Sequence, residues 1–178
     1  MRRRLAIAGL LAALAAGTLG ACGADEGDLS VKEGEPVELG ELSYNVQLTR
    51  FLNPDDTEDA GYLVGQPPLE RGTNYLGVFL TIENRSDDEA VASADKYTVL
   101  DTLDTRYEPI ASKSPYALDV GATVPPSGDL PVTDSTAASG PIEGSLLIFR
   151  VDDSATEDRP LELEIPSDSG TARVELDI

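Results

Sequence analysis

Few side chains in this 178-residue chain have the reactivity for covalent catalysis: one cysteine, Cys22, and no histidine, set among 33 acidic and 13 basic residues. The lack of histidine excludes Ser-His-Asp and Cys-His nucleophile arrangements, histidine-based zinc sites and histidine-bearing iron triads. What remains is thiol chemistry at Cys22 and the chemistry of carboxylates. Paired acids work as proton donor and acceptor only where their environments hold their pKa values apart. The acid runs "PDDTED" (54–59) and "VDDSATED" (151–158) sit in polar segments that read as solvated loops. The glycine-rich phosphate-loop patterns GxxxxGK[ST] and GxGxxG do not occur in the sequence. A non-catalytic protein is therefore expected.

The first acid run is still a candidate for a hard cation. Asn53, Asp55, Asp56, Glu58 and Asp59 offer oxygen ligands within one short loop, and Ca²⁺ takes about six to eight oxygens. The spacing is not that of an EF-hand, which needs alternate acids, a glycine and a distal Glu. Asp152, Asp153, Glu157 and Asp158 form a weaker second set. Calcium is the candidate ion at either loop, and no other cofactor is expected.

Cys22 has a different context. Arg2, Arg3 and Arg4 precede an apolar run from Leu5 to Ala16, which small and turn-favouring residues then break. That order is the n-region and h-region of an export signal, and the run is shorter than the roughly 20 apolar residues of a spanning helix. Leu19, Gly20, Ala21 and Cys22 follow, and they resemble the bacterial lipobox. The resemblance implies cleavage between Ala21 and Cys22 and a diacylglyceryl group on the Cys22 sulfur, with the new amino terminus often acylated as well. Each buried CH₂ contributes about 0.8 kcal/mol, so two or three acyl chains hold a protein where one would be marginal. The implied address is the outer face of the bacterial cell membrane, or the outer membrane of a cell that has one. With no second cysteine for a bridge, the domain is expected to be held by packing alone.

The expected organisation is a signal peptide over 1–21, a lipidated cysteine with an acidic flexible tether over 22–37, and one domain over 38–178. The tether reading rests on "GADEGDLSVKEGEP", rich in Gly and acid and without a periodic apolar face. The net charge of −20 repels nucleic acid, so no nucleic-acid partner is expected; it favours cations or basic partner surfaces.

Alternation, not helical spacing, marks the domain. In "ELSYNVQLTRF" Leu42, Tyr44, Val46 and Leu48 fall on one face, the period of a half-buried strand. "NYLGVFLTIEN" and "GSLLIFRV" are almost continuously apolar, which suits strands covered on both faces. "LELEI" and "ARVELDI", joined by "PSDSGT", read as a terminal hairpin. Shorter strands are expected in "YTVLD", "RYEPIA", "VGATVPP" and "DLPVT". With 12 prolines, 16 glycines and no stretch of helical period, the pattern predicts an all-β, antiparallel β-sandwich. The tyrosines are expected to pack and to bond through their hydroxyls, and the N-x-S sequon at Asn84 to be the edge of a strand entering a turn.

These segments also carry a resemblance. "YLGVFLTIENRSDDEA", "YTVLDTLDTRYEP", "GATVPPSGDLP", "GSLLIFRVDD" and "PLELEI" are similar to the telokin-like, immunoglobulin-fold lipoprotein domains of unknown function in exported bacterial proteins. Asn84, Asp101, Asp104, Tyr107, Pro126, Phe149 and Val151 fall at that family's pattern positions. The resemblance spans roughly 38–178 and implies an immunoglobulin-like sandwich, with fold signatures and no catalytic ones. The segment Val132 to Gly144 departs from it by lengthening a connection.

Two functions are compatible with this reading. One is a membrane-anchored protein-interaction module docking on another cell-envelope protein. The other is a module that binds a divalent cation or a small cationic solute at its acidic loops.

Overall fold

Strand β3, Leu42–Leu52, and strand β4, Thr73–Asn84, are the two longest in the computed structural model, which describes residues 28–178. The segments expected to be an export signal and a lipobox, with Cys22, lie outside the described residues. The other strands are β1 Asp28–Lys32, β2 Val37–Leu39, β5 Val91–Ala92, β6 Thr98–Leu100, β7 Arg106–Tyr107, β8 Thr123–Val124, β9 Asp129–Leu130, β10 Ser145–Asp152, β11 Leu161–Ser167 and β12 Gly170–Leu176. A single 3-10 turn, Asp153–Thr156, follows β10.

The strands form two sheets and a ribbon. One sheet runs β1-β12-β11-β6-β7; the second runs β10-β4-β3-β2, with β9 continuing the β10 edge of β4; β5 and β8 pair separately. All these pairings are antiparallel except β1 on β12. The β-sandwich, the terminal hairpin and the short strands are thus as expected. Between the sheets, Tyr44, Val46, Val78, Leu80 and Phe149 pack against Val99, Leu163, Ile165 and Val174, among others.

Two expectations are corrected. The stretch expected as tether is folded from Asp28 onward. β1 adds to the sheet beside β12, pairing Asp28 with Thr171 and Lys32 with Glu175, and Val31 packs against the core. Its acids are used as acceptors: Glu33 Oε1 accepts the Thr49 N–H at 3.0 Å and Oε2 accepts the Asp177 N–H at 3.1 Å. Gly34, at φ +86°, makes the turn and donates to the Val46 carbonyl at 2.8 Å, a backbone conformation that glycine adopts without steric cost.

The second correction is in β3. Val46 pairs with Leu80 but Leu48 pairs with Phe79, so Gln47 is the extra residue of a β-bulge. One inserted residue reverses the faces of all that follow. Leu48, expected inside, is 37% exposed; Thr49 is buried and Phe51 turns toward the core. Arg50 and Leu52 move to the outer face of the sheet, opposite Gly77 and Tyr75.

That outer face is covered as well. Leu52, Tyr62, Tyr75, Phe79, Leu146 and Ile148 form a second buried cluster, with Leu69, Ile110, Tyr116 and Ile142 packed against it. Segments 53–72, 110–118 and 132–144 supply the cover, which gives the Val132 to Gly144 connection a packing role and accounts for the unbroken apolar runs of β4 and β10. A paired substitution tests both findings: Phe79→Ala should cost about 3–5 kcal/mol in urea unfolding, whereas Leu48→Ala should cost under about 1 kcal/mol. A large loss at Leu48 would contradict the bulge.

Candidate functional site

The loop proposed to hold calcium folds into short turns closed by its own side chains. Asn53 Oδ1 accepts the Asp55 N–H at 3.0 Å, and Asp56 Oδ1 accepts the Glu58 N–H at 2.9 Å. These are the local side-chain-to-backbone bonds that Asn and Asp make in turns. Asn53, Asp55, Asp56 and Glu58 are all exposed. Asp59 is the exception at 2% exposure. Its Oδ2 accepts the Asn53 N–H at 2.7 Å, and its other oxygen pairs with the Arg50 guanidinium. The β3 bulge makes this pair, because it turns Arg50 to the face where the loop lies.

The five residues therefore do not converge as a ligand set: four face water and the fifth is engaged by a cation of the chain. Among the described residues no group of three or more Asp, Glu, His or Cys is placed to hold a metal ion. The second acid run is also dispersed. Asp153 accepts the Asn74 side-chain amide at 2.8 Å, Asp158 offers its backbone carbonyl to Thr102 at 3.1 Å, and Asp152 and Glu157 point to solvent.

Two other buried polar groups hold loops in place. Asn84, 1% exposed at the end of β4, donates through Nδ2 to the carbonyls of Glu89 at 2.7 Å, Val124 at 3.0 Å and Pro125 at 3.1 Å; its Oδ1 accepts the Ser86 N–H at 3.0 Å. The sequon asparagine is thus a strand end entering a turn, as expected. Asp101 Oδ1 accepts the N–H groups of Leu103 and Thr105, both at 2.9 Å, across a turn in which Asp104 takes φ +61°. Burial raises the Asp101 pKa, but the bonds from Thr105 and Leu103 outweigh it and hold the carboxyl below its ordinary value.

The tyrosines are mostly packing groups. Tyr62 meets Phe79 edge-on at 5.1 Å and Tyr116 at 4.8 Å, Tyr75 donates to the Pro67 carbonyl, and Tyr44 Oη accepts the Ala94 N–H at 2.9 Å.

Sequence reasoning misses one cleft. A hollow of about 480 Å³ opens at one end of the sandwich, between the β2–β3 turn, β5 and the β11–β12 turn. Tyr44 and Ser93 lie inside it and Glu41, Asp95 and Asp168 are exposed around it. Its lining comes from four separated segments with no shared motif, so no local pattern announces it. Ser93 Oγ, in its wall, and the hydroxyl of Tyr97, which does not line it, are buried without a hydrogen-bond partner. Burial pushes the phenols of Tyr44 and Tyr97 up, so both stay protonated at neutral pH. Such a cleft offers neutral hydroxyls under an acidic mouth and no nucleophile paired with a base.

No protein-family model and no curated protein matches the chain. Solved structures do resemble it in fold. An uncharacterised β-sandwich protein from Clostridium difficile 630 superposes with a TM-score of 0.51 at 15% identity, over 84% of this chain and 95% of its own. The yjhA protein from Bacillus subtilis superposes with a TM-score of 0.53 at 15% identity, over 82% of this chain and 99% of its own. Both support the β-sandwich.

Two outcomes are expected from this geometry. Calcium should leave the melting temperature unchanged relative to chelator at matched ionic strength, because a specific site would raise it by mass action; a calcium-specific rise would restore the loop as a ligand set. Asp101→Asn should cost about 1–2 kcal/mol at pH 7, because the amide keeps an acceptor oxygen but loses the charge that strengthens both bonds. Because the folded-state pKa lies below the ordinary 3.8, this contribution is complete above that value and is lost as pH falls through the folded pKa. Urea unfolding across that range should show the difference between the two proteins shrinking toward low pH.

Proposed function

We propose that this chain is an exported, lipid-anchored module that acts by docking on another cell-envelope protein and carries no catalysis of its own. The observation that carries this reading is how three buried polar side chains, those most suggestive of a site, are used. Asp59 is occupied by Arg50, Asp101 by its own turn and Asn84 by three carbonyls, so each serves the fold. The surface is left as the working part. The export signal and lipobox residues Leu19 to Cys22 support the anchor, and the immunoglobulin-like reading supports docking by analogy, since sandwich faces and end loops serve binding widely.

A second reading draws on the end cleft. The exposed Glu41, Asp95 and Asp168 around its mouth favour entry of a small cationic solute over an anionic one.

Crosslinking on intact cells, followed by capture of the lipidated protein, separates the two. On the docking reading one envelope protein is captured with the wild type and lost or much reduced with Cys22→Ala. Recovery of no specific protein would overturn docking and favour the solute.

A further inference from the structure

We propose that the cleft-bearing end of the sandwich is the surface that faces the lipid membrane, oriented by strand β1. The inference rests on Cys22 being a lipid anchor, and adds to that reading which face the anchor presents.

β1 enters the sheet at Asp28, paired with Thr171, and runs parallel to β12 as far as Lys32 opposite Glu175. Its first residue therefore lies beside the Ser167 to Gly170 turn. The β2–β3 turn is at the same end: a Cβ on Gly40 would lie 3.6 Å from Ser169 Oγ. These two turns border the cleft. At the other end lie Leu176, opposite Leu161, and the Thr102 to Thr105 turn, whose Thr102 N–H reaches the Asp158 carbonyl at 3.1 Å. The 3-10 turn after β10 lies there too, where the Asp153 N–H reaches the Gly72 carbonyl at 3.0 Å.

Chain length turns this register into an orientation. A tether running to residue 37 would reach about 50 Å when fully extended, whereas one that ends at Gly27 reaches only about 20 Å. The domain is longer than that, since twelve-residue β4 alone spans about 40 Å at the usual strand rise. With Cys22 held in the lipid, the far end cannot turn to the membrane, because that would lift Asp28 beyond the reach of its own chain. Exposed Glu41, Asp95 and Asp168 then face the head groups, and repulsion from anionic lipid keeps that end on the surface and out of the bilayer. The cleft opens into the space between domain and membrane.

A thioether at Cys22 leaves no free thiol, so single thiols can be placed at will. Mature lipidated protein carrying Asp168→Cys at the cleft end, or Glu157→Cys at the far end, is labelled with a fluorophore and reconstituted into phosphatidylcholine vesicles containing a head-group nitroxide. Mass analysis of the N-terminal peptide comes first: an unmodified Cys22 would remove the anchor reading and this proposal with it. In protein shown to carry the lipid, quenching at Asp168→Cys should exceed that at Glu157→Cys by about threefold or more, given a strand-length separation of the labels. Equal or reversed quenching would overturn the proposed orientation and leave the anchor intact. A Gly-Ser insertion of about 12 residues after Gly27 should bring the two signals together, and persistence of the difference would show that short reach is not its cause.

Discussion

From Tyr75 to Leu80 strand β4 is buried on both faces, and most of the irregular chain is arranged to satisfy that constraint. Leu76, Val78, Leu80 and Ile82 face the opposing sheet, while Tyr75 and Phe79 face outward into a second cluster. Gly77 sits between those two outward rings, and a Cβ there would come 3.0 Å from Leu52 Cδ1 and 3.2 Å from Leu146 Cδ1. The absent side chain lets both leucines close over the strand. Covering the outer face requires long loops to lie flat on it, so Tyr62 is brought onto Phe79 and the acid run just before it is drawn in. Asp59 is then buried by its position in the chain, and a buried carboxylate requires a charged partner. The β3 bulge supplies one by turning Arg50 outward.

Loops that pack against a sheet carry backbone N–H groups that water cannot reach, and these need acceptors within the protein. With a single cysteine in the chain, fixed side chains hold the loops in place of disulfides. Asn84 joins the end of β4 to two separate connections, Asp101 closes the β6–β7 turn, and Glu33 joins the bulge to the C-terminal strand. Ser114 does the same on the outer face, donating to the Gly61 carbonyl at 2.8 Å and accepting the Tyr116 N–H at 3.2 Å. The polar groups most suggestive of chemistry in the sequence are thus largely the ones that keep loops in place.

This division explains what was legible in advance. β4, β10 and the β11–β12 hairpin were readable because burial acts on every residue or every second residue, and the short strands because prolines and glycines bracket them. β1 was hidden: Leu29 and Val31 are too few among acids to show a period, and the strand forms because β12 offers an unpaired edge far away in sequence. The bulge was hidden for the same reason, since its position is set by the register against β4 and nothing at Gln47 signals it. The acid loop was misread because carboxylates in a run look solvated, and only Arg50, placed by the bulge, distinguishes Asp59 from its neighbours. The end cleft has no local signature at all.

The parallel placement of β1 also has a mechanical consequence. On the anchored reading, the lipid holds the chain at the Asp28 end of the strand, and a docked partner would hold the body of the domain. A pull along the β1 axis, away from the domain at the Asp28 end, would load the bonds to Thr171 through Glu175 together, in shear. An antiparallel strand entering from the far end would instead be peeled away one bond at a time. The direction in which β1 runs thus makes the attachment strongest against tension applied from its Asp28 end.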